Sequence, residues 1–60
     1  MTIIKVVFKD GKTYDLKENP EIDVMVDLGF IFRVKLKNGR SITYPGMDIH
    51  YYEAMEGKSD

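Results

Sequence analysis

One residue of this 60-residue chain has a side chain expected to titrate near neutral pH, as an acid–base catalyst requires. His50 is the only histidine, the residue type that titrates nearest neutral pH. Asp48 stands two residues before it, but no serine or cysteine lies in a motif that would complete a catalytic triad. A lone histidine followed by Tyr51 and Tyr52 is more often a surface or packing residue than a general base. We therefore predict that the chain is not an enzyme.

The residues that bind metals or cofactors are equally scarce. The chain has no cysteine, which excludes a thiolate zinc site, and one histidine cannot form an imidazole cluster. Asp15, Asp23 and Asp27 do not have the spacing of a calcium-binding loop, and no glycine-rich phosphate loop is present. The sequence thus predicts neither a metal nor a cofactor.

Charge is segregated along the chain, although the formal net charge is only −1. Residues 18–27 hold four acidic side chains and no lysine or arginine, whereas residues 33–40 hold four basic side chains and no acid. The basic segment and the hydroxyls after it are a candidate site for an anion, a nucleotide or an acidic protein surface. Alternatively, an acidic third strand lies beside the basic fourth strand and neutralises it. The members of this basic cluster are Arg33, Lys35, Lys37, Arg40, Ser41 and Thr43.

A second candidate surface is rich in aromatic side chains near the end of the chain. Tyrosine and methionine are enriched at binding interfaces, but they also occur at a core rim or a dimer seam. Packing or a homodimer seam explains this set better than a site for a different partner. The candidate interface consists of Ile31, Tyr44, Tyr51, Tyr52 and Met55.

The elements that must position these side chains show an apolar alternation with a period of two residues. Residues 4–9, 22–27 and 30–37 carry it most clearly, and they are dense in β-branched and aromatic residues. Such segments predict half-buried β-strands. A second apolar set, which falls on the opposite face, consists of Ile3, Val7, Met25, Ile31 and Tyr52. The predicted core consists of Ile4, Val6, Phe8, Tyr14, Leu16, Ile22, Val24, Val26, Phe30, Phe32, Val34, Leu36, Ile42, Tyr44, Ile49 and Tyr51.

Glycine-containing turns set the strand pairing. Three-residue loops at 9–11 and 37–39 place glycine in the left-handed position of a type I turn with a G1 bulge. A similar loop at 27–29 would link Val26 to Phe30 on one face. The pairs predicted for the hairpins with loops at 9–11 and 37–39 are Val6 with Tyr14, Lys5 with Asp15, Val34 with Ile42, Phe32 with Tyr44 and Arg33 with Thr43.

The organisation that follows is one domain, residues 1–55, with a polar tail at 56–60. Residues 47–55 fit either a sixth strand or a short helix. The predicted fold is all-β: a five- to six-stranded antiparallel meander with one apolar face. Such a sheet must either curl into a small SH3-like or OB-like barrel, or stack on a second copy as a dimeric sandwich.

Composition limits the environment and the partners. The chain is 43% hydrophobic and 32% charged, a balance that argues against a general nucleic-acid coat or a polybasic membrane anchor. Its longest apolar runs are too short to span a bilayer, and its first residues do not have the pattern of a signal peptide. We therefore expect a cytoplasmic protein that does not bind membranes.

Residues 7–14 and 34–45, together with 48–53, resemble short uncharacterised β-meander proteins of phages and mobile elements of Gram-positive bacteria. The resemblance implies an accessory factor, such as an inhibitor of a host enzyme or defence system. We expect a small, non-catalytic protein-interaction module that is homodimeric and acts stoichiometrically on a protein partner. The alternative is a small barrel that binds nucleic acid or a nucleotide through the basic cluster.

Overall fold

A computed structural model describes residues 2–56 of the chain. It contains six β-strands and one short 3-10 helix at Gly46–Asp48. Residues 47–55 were predicted as strand or short helix; the 3-10 helix takes their first residues and a strand takes the rest. The predicted tail, apart from Glu56, lies outside the described residues. The strands are β1 (Thr2–Phe8), β2 (Thr13–Asp15), β3 (Ile22–Asp27), β4 (Ile31–Leu36), β5 (Ser41–Pro45) and β6 (Ile49–Met55).

The strands form two three-stranded antiparallel sheets. One sheet has the order β2-β1-β6 and the other the order β3-β4-β5. The all-β prediction is therefore confirmed, with the last strand paired beside the first. No helix within residues 2–56 is long and apolar enough to cross a membrane.

The first and last hairpins have the predicted register. Val6 pairs with Tyr14, and Val34 pairs with Ile42. In each turn the third loop residue, Gly11 or Gly39, has a positive φ, near 97° and 94° respectively. Glycine reaches this left-handed conformation without the steric penalty that a Cβ brings.

The middle hairpin is different from the prediction. Leu28 N–H donates to the Ile31 carbonyl at 2.9 Å, so the loop consists of Gly29 and Phe30 alone. Gly29 has a positive φ of 92° and Phe30 does not, which is the pattern of a type II′ turn. The predicted link of Val26 to Phe30 is wrong: Phe30 lies at the tip of the turn and is 96% exposed.

Three register shifts change which side chains face the core. Ile4 in β1, Asp23 in β3 and His50 in β6 are extra residues opposite their partner strands. Each bulge reverses the alternation on one side of it. As a result Ile3 and Met25, predicted on the opposite face, are buried in the core.

Tyr52 also faces the core, since it pairs with the buried Val6, whereas Tyr51 pairs with Val7 and is exposed. Val24 and Val26 lie on the outer side of their sheet and are only partly buried. The predicted core is therefore wrong at Val24, Val26 and Tyr51, which it included, and at Tyr52, which the prediction placed on the opposite face. The buried set consists of Ile3, Val6, Phe8, Ile22, Met25, Phe32 and Val34.

Both sheets contribute to one core. The Phe8 ring of the first sheet contacts Phe32 of the second edge-on, with centroids 6.5 Å apart, and lies 4.6 Å from the Tyr44 ring. Phe32 in turn lies 6.1 Å from Tyr52. Aromatic packing of this kind contributes beyond the area that it buries, which matters in a domain of this size.

Candidate binding surfaces

The outer face of the β3-β4-β5 sheet carries most of the basic cluster. Arg33 and Lys35 project from the central strand on this side, opposite the buried Phe32 and Val34. Two rows cross the face: Val26, Arg33 and Thr43, then Val24, Lys35 and Ser41. Lys37 and Arg40 flank the turn that joins β4 to β5. The structure therefore brings Arg33, Lys35, Ser41 and Thr43 together on one face.

The predicted neutralisation by an acidic β3 is not seen at these positions. Val26 pairs with Arg33, and Val24 pairs with Lys35, so valines rather than acids stand beside the two cations. Asp27 pairs instead with the buried Phe32, on the other side of the sheet. The cross-strand neighbours of Arg33 and Lys35 on this face are therefore valines on one side and hydroxyl side chains on the other.

An apolar end adjoins this face. We use that name for Leu28, Phe30, Ile31, Pro45 and Met47. Leu28 is 51% exposed and Met47 76% exposed, in addition to the almost fully exposed Phe30. Ile31 pairs with Pro45 next to the Arg33 row, which makes the apolar end continuous with the basic cluster.

Gly46 holds the apolar end in place. Its N–H donates to the Phe30 carbonyl at 2.7 Å, which ties the β3-β4 turn to the 3-10 helix. A Cβ at this position would collide with the Gly29 carbonyl oxygen and press on the Phe30 carbonyl group. Only glycine allows the two backbones to approach this closely, so Phe30 and Met47 lie on either side of a tight backbone contact.

The residues of the predicted aromatic interface do not form one surface. Tyr44 and Tyr52 face the core and are half-buried. Ile31 belongs to the apolar end of one sheet. Tyr51 and Met55 are exposed on the other sheet, where Met55 pairs with Thr2 at its far end.

A pair of tyrosines links the two sheets. The Tyr14 and Tyr44 hydroxyls lie 2.6 Å apart, and one donates to the other. Burial, the Tyr14 hydrogen bond and the nearby charges of Tyr14 and Asp10 raise the pKa of Tyr44 to about 12. The Lys12 ammonium stands over both rings, at 5.8 Å and 5.7 Å from their centroids, within cation–π distance.

Beside the tyrosines is a cavity of about 320 Å³. Two cations and two carboxylates line it, so its charge is balanced, and an aromatic wall closes one side. Sequence alternation does not reveal this pocket, because the β1-β2 turn and the 3-10 helix meet only through the fold. The contact that joins them is the Lys9 N–H donating to the Asp48 carbonyl at 2.9 Å. The lining residues are Phe8, Lys9, Asp10, Lys12, Tyr44 and Asp48.

A second cavity, of about 270 Å³, lies along β3. Ile3, Met25 and Tyr52 line it, together with Val24, Val26 and Asp27. The Tyr52 hydroxyl donates to Asp27 Oδ2 at 2.9 Å, and this hydrogen bond is the main cause of a raised Tyr52 pKa.

The candidate acid–base residue His50 is exposed at the β6 bulge, edge-on to Tyr51 with centroids 5.2 Å apart. Within residues 2–56 no three His, Asp or Glu side chains are grouped closely enough to hold a metal ion. The arrangement of the described side chains is suited to binding through apolar and basic surfaces. No family model, curated protein or solved structure matches the chain.

Proposed function

We propose that the chain is a small, non-catalytic protein-interaction module that acts stoichiometrically on a partner protein. The exposed apolar end carries this proposal. Single exposed apolar side chains are ordinary, but a contiguous group that includes a phenylalanine at 96% exposure is typical of an interaction site. The Gly46 contact fixes the Phe30 backbone before binding, which reduces the entropy lost on association.

The chemistry of the partner follows from the neighbours of the apolar end. Phe30 and Met47 favour an apolar pocket on the partner, and Arg33 and Lys35 favour acidic groups around it. Aromatic, methionine and arginine side chains are enriched at the centres of protein interfaces. We therefore propose an apolar depression with an acidic rim as the surface recognised.

The homodimer is a separate part of the proposal. Two copies that met through the outer face of β3-β4-β5 would bring Arg33 and Lys35 of each copy together, and like charges oppose such a contact. Self-association is better supported on the other sheet, where the exposed Tyr51 pairs with Val7 and Lys5 stands between Asp15 and Glu53. Sedimentation of the Tyr51→Lys variant tests this: it should be monomeric where the parent is dimeric.

We further propose, from the resemblance to phage proteins, that the module acts in the cytoplasm as an accessory factor or inhibitor. We also propose that the two sheets together form a small SH3-like barrel. The three-stranded β3-β4-β5 meander, the 3-10 helix before the last strand and the pairing of β6 with β1 support it.

The test of the module is affinity capture from host lysate followed by titration calorimetry with the purified partner. The double variant Phe30→Ser, Met47→Ser should lose binding at least tenfold, while Met55→Ser, a matched exposed methionine on the other sheet, should not. Retention of binding by the double variant and its loss in Met55→Ser would place the interface elsewhere. Recovery of nothing but the chain itself would count against the module.

Nucleic acid or a nucleotide is the second candidate ligand, favoured by one observation. The cations of the outer face stand between valines and hydroxyls rather than acids, so they are free to meet phosphates. The tyrosines are not placed to stack on a base beside them; Phe30 is the exposed ring near this face. If this candidate is correct, Arg33→Glu, Lys35→Glu should abolish oligonucleotide binding and flatten its salt dependence in fluorescence anisotropy.

A further inference from the structure

Strand β5 is the least protected edge strand within residues 2–56. It pairs with β4 alone, and no register shift interrupts that ladder. The other three edge strands each carry an acidic side chain, and β3 and β6 also contain a bulge. Charges and bulges both discourage the addition of a further strand. β5 has no charged residue, and its one protective feature is Pro45, at the last position.

The unpaired backbone groups of β5 belong to Ser41 and Thr43. Leu36 N–H donates to the Arg40 carbonyl at 2.8 Å, which makes these two residues a hydrogen-bonded pair at the end of the β4-β5 ladder. Because such pairs alternate along an antiparallel ladder, Ile42 bonds to β4, whereas the N–H and C=O groups of Ser41 and Thr43 point away from it. Ser41, Ile42 and Thr43 are all exposed, so this edge of β5 is open to solvent.

The core side of β5 is only partly covered. Ile42 pairs with the buried Val34 and lies on the same side of the sheet as Tyr44, yet it is 37% exposed. A strand laid beside β5 would place alternate side chains next to Ile42 and Tyr44. Apolar residues at those places would remove the exposed part of Ile42 from water. The added strand should therefore be apolar on its core side.

Charge specifies the other side of the added strand. Its remaining side chains would lie next to Ser41 and Thr43, on the outer face that carries the basic cluster. Arg33 and Lys35 stand two strand spacings away, about 10 Å between backbones. Their long side chains can lean across the small hydroxyl residues in between. Acidic side chains on the added strand would therefore be attracted to this face.

A second copy of β5 is a poor occupant of the edge. Antiparallel pairing about Thr43 would place Ser41 of each copy opposite Pro45 of the other. Because proline has no N–H, the Ser41 carbonyl would lack a donor at both ends of the ladder. Such pairing would also combine the basic clusters of the two copies on one continuous face, which like charges oppose.

From these features we infer that the edge of β5 that faces away from β4 accepts an extended segment of the partner protein by β-strand addition, and that this segment alternates apolar with aspartate or glutamate side chains. Backbone hydrogen bonds with Ser41 and Thr43 supply affinity, while Ile42 and the basic cluster supply selectivity. The inference rests on the proposed interaction module, because it names what the partner contributes. Pro45 belongs both to β5 and to the apolar end, so the two surfaces are continuous.

Hydrogen exchange tests the inference directly, because strand addition protects particular amides. The probe is a ten-residue peptide that alternates valine with glutamate, and its control has lysine in place of each glutamate. In the free ¹⁵N-labelled protein, the Ile42 and Tyr44 amides should exchange slowly and those of Ser41 and Thr43 fast. The acidic peptide should slow exchange at Ser41 and Thr43 by about tenfold or more, and the basic peptide should not.

A proline variant separates the backbone contribution. Thr43→Pro removes the N–H that an added strand needs but no bond to β4, so it should fold, and its affinity for the acidic peptide should fall by about tenfold or more. Thr43→Ala keeps that N–H and is the matched control, which should bind as the parent does.

Charge-neutral variants test the selectivity. Arg33→Gln and Lys35→Gln should each weaken binding of the acidic peptide by about threefold at low salt, as expected for exposed ion pairs. Lys5→Gln, on the central strand of the other sheet, is their control and should have no effect. The double variant Phe30→Ser, Met47→Ser should bind the peptide normally. A partner that this double variant loses but Thr43→Pro binds fully would leave the interaction module standing without strand addition.

Three results would overturn the inference. One is equal binding of the acidic and basic peptides, or protection centred away from β5. Another is a folded Thr43→Pro variant that binds the acidic peptide as the parent does. The third is slow exchange of the Thr43 amide in the free protein, which would show that its N–H is already bonded. Where Thr43→Pro does not fold, the exchange pattern alone decides.

Discussion

Among the four glycines that the structure describes, Gly46 should be the most costly to replace by alanine. The added Cβ would meet the Gly29 carbonyl oxygen and the Phe30 carbonyl group, all of which are backbone atoms in a tight turn. Backbone cannot rotate away as a flexible side chain can, so the 3-10 helix must separate from the turn. That separation also breaks the 2.7 Å bond from the Gly46 N–H to the Phe30 carbonyl.

The size of the effect follows from two contributions. Overpacking a close contact costs about 1–3 kcal/mol, and the loss of a backbone hydrogen bond adds about 1 kcal/mol. The sum, about 2–4 kcal/mol, is comparable to the total stability of a domain of this size, about 3–5 kcal/mol. Since 1 kcal/mol shifts the Tm of such a domain by about 4–8 °C, the Tm should fall by at least about 8 °C.

Gly39→Ala is the control that isolates the collision. Gly39 has a positive φ of 94°, but a Cβ there would find nothing within 4 Å. Alanine at that turn should cost only the steric penalty that a Cβ meets in the left-handed backbone conformation, about 1–2 kcal/mol. Urea and thermal unfolding followed by circular dichroism should therefore rank Gly46→Ala below Gly39→Ala in stability. Equal stabilities, or the reverse order, would refute the reasoning about the close backbone contact.

Three further predictions concern the core, the tyrosine pair and the exposed ring. Phe32→Ala should cost about 3–5 kcal/mol and leave the chain largely unfolded at 25 °C by near-UV circular dichroism; a cooperative transition with an unchanged midpoint would contradict its place in the core. The raised pKa of Tyr44, about 12 against about 10 in an unfolded chain, means that the fold favours its protonated form. The stability that this shift contributes should thus be fully present below pH 10 and decline as the pH rises towards 12. The decline should be smaller in Tyr44→Phe. Equal slopes of unfolding free energy against pH in the two proteins would exclude Tyr44 as the cause of the decline. Phe30→Ser should change the unfolding free energy by less than about 0.5 kcal/mol, because its side chain contacts little in the free protein; a larger loss would show that Phe30 packs within the fold.

The hairpins that sequence predicts correctly are those with glycine at the third position of the loop. At Gly11 and Gly39 the left-handed conformation, the loop length and the apolar alternation all require the same register. The sequence predicts the same role for Gly29, but that residue is the first of a two-residue turn. Glycine satisfies either turn equally well, so residue type alone does not decide between them.

The errors in the predicted core have one physical source. A β-bulge adds a residue without leaving a composition signal, and it exchanges the faces of the residues beyond it. Ile4, Asp23 and His50 are extra residues of this kind, which is why Ile3 and Met25 lie inside although alternation places them outside.

Among the candidate surfaces, the sequence predicts the one that depends on local strand pairing and misses those that depend on distant contacts. The basic cluster follows from a correctly paired hairpin, so its members on β4 and β5 were predicted together. The apolar end and the tyrosine pocket depend on contacts between elements far apart in sequence, such as Gly46 with Phe30 and Lys9 with Asp48. No local pattern specifies such contacts.

The pairing of β1 with β6 has a consequence for how the chain folds as it is synthesised. Thr2 lies opposite Met55, so this ladder closes a loop of nearly the whole described chain. Val6 and Phe8 are translated before β6 and acquire their neighbours on that strand only when it has left the ribosome. Until then one edge of β1 has no partner strand, whereas the β1-β2 hairpin and the β3-β4-β5 hairpins, whose contacts are local, form first.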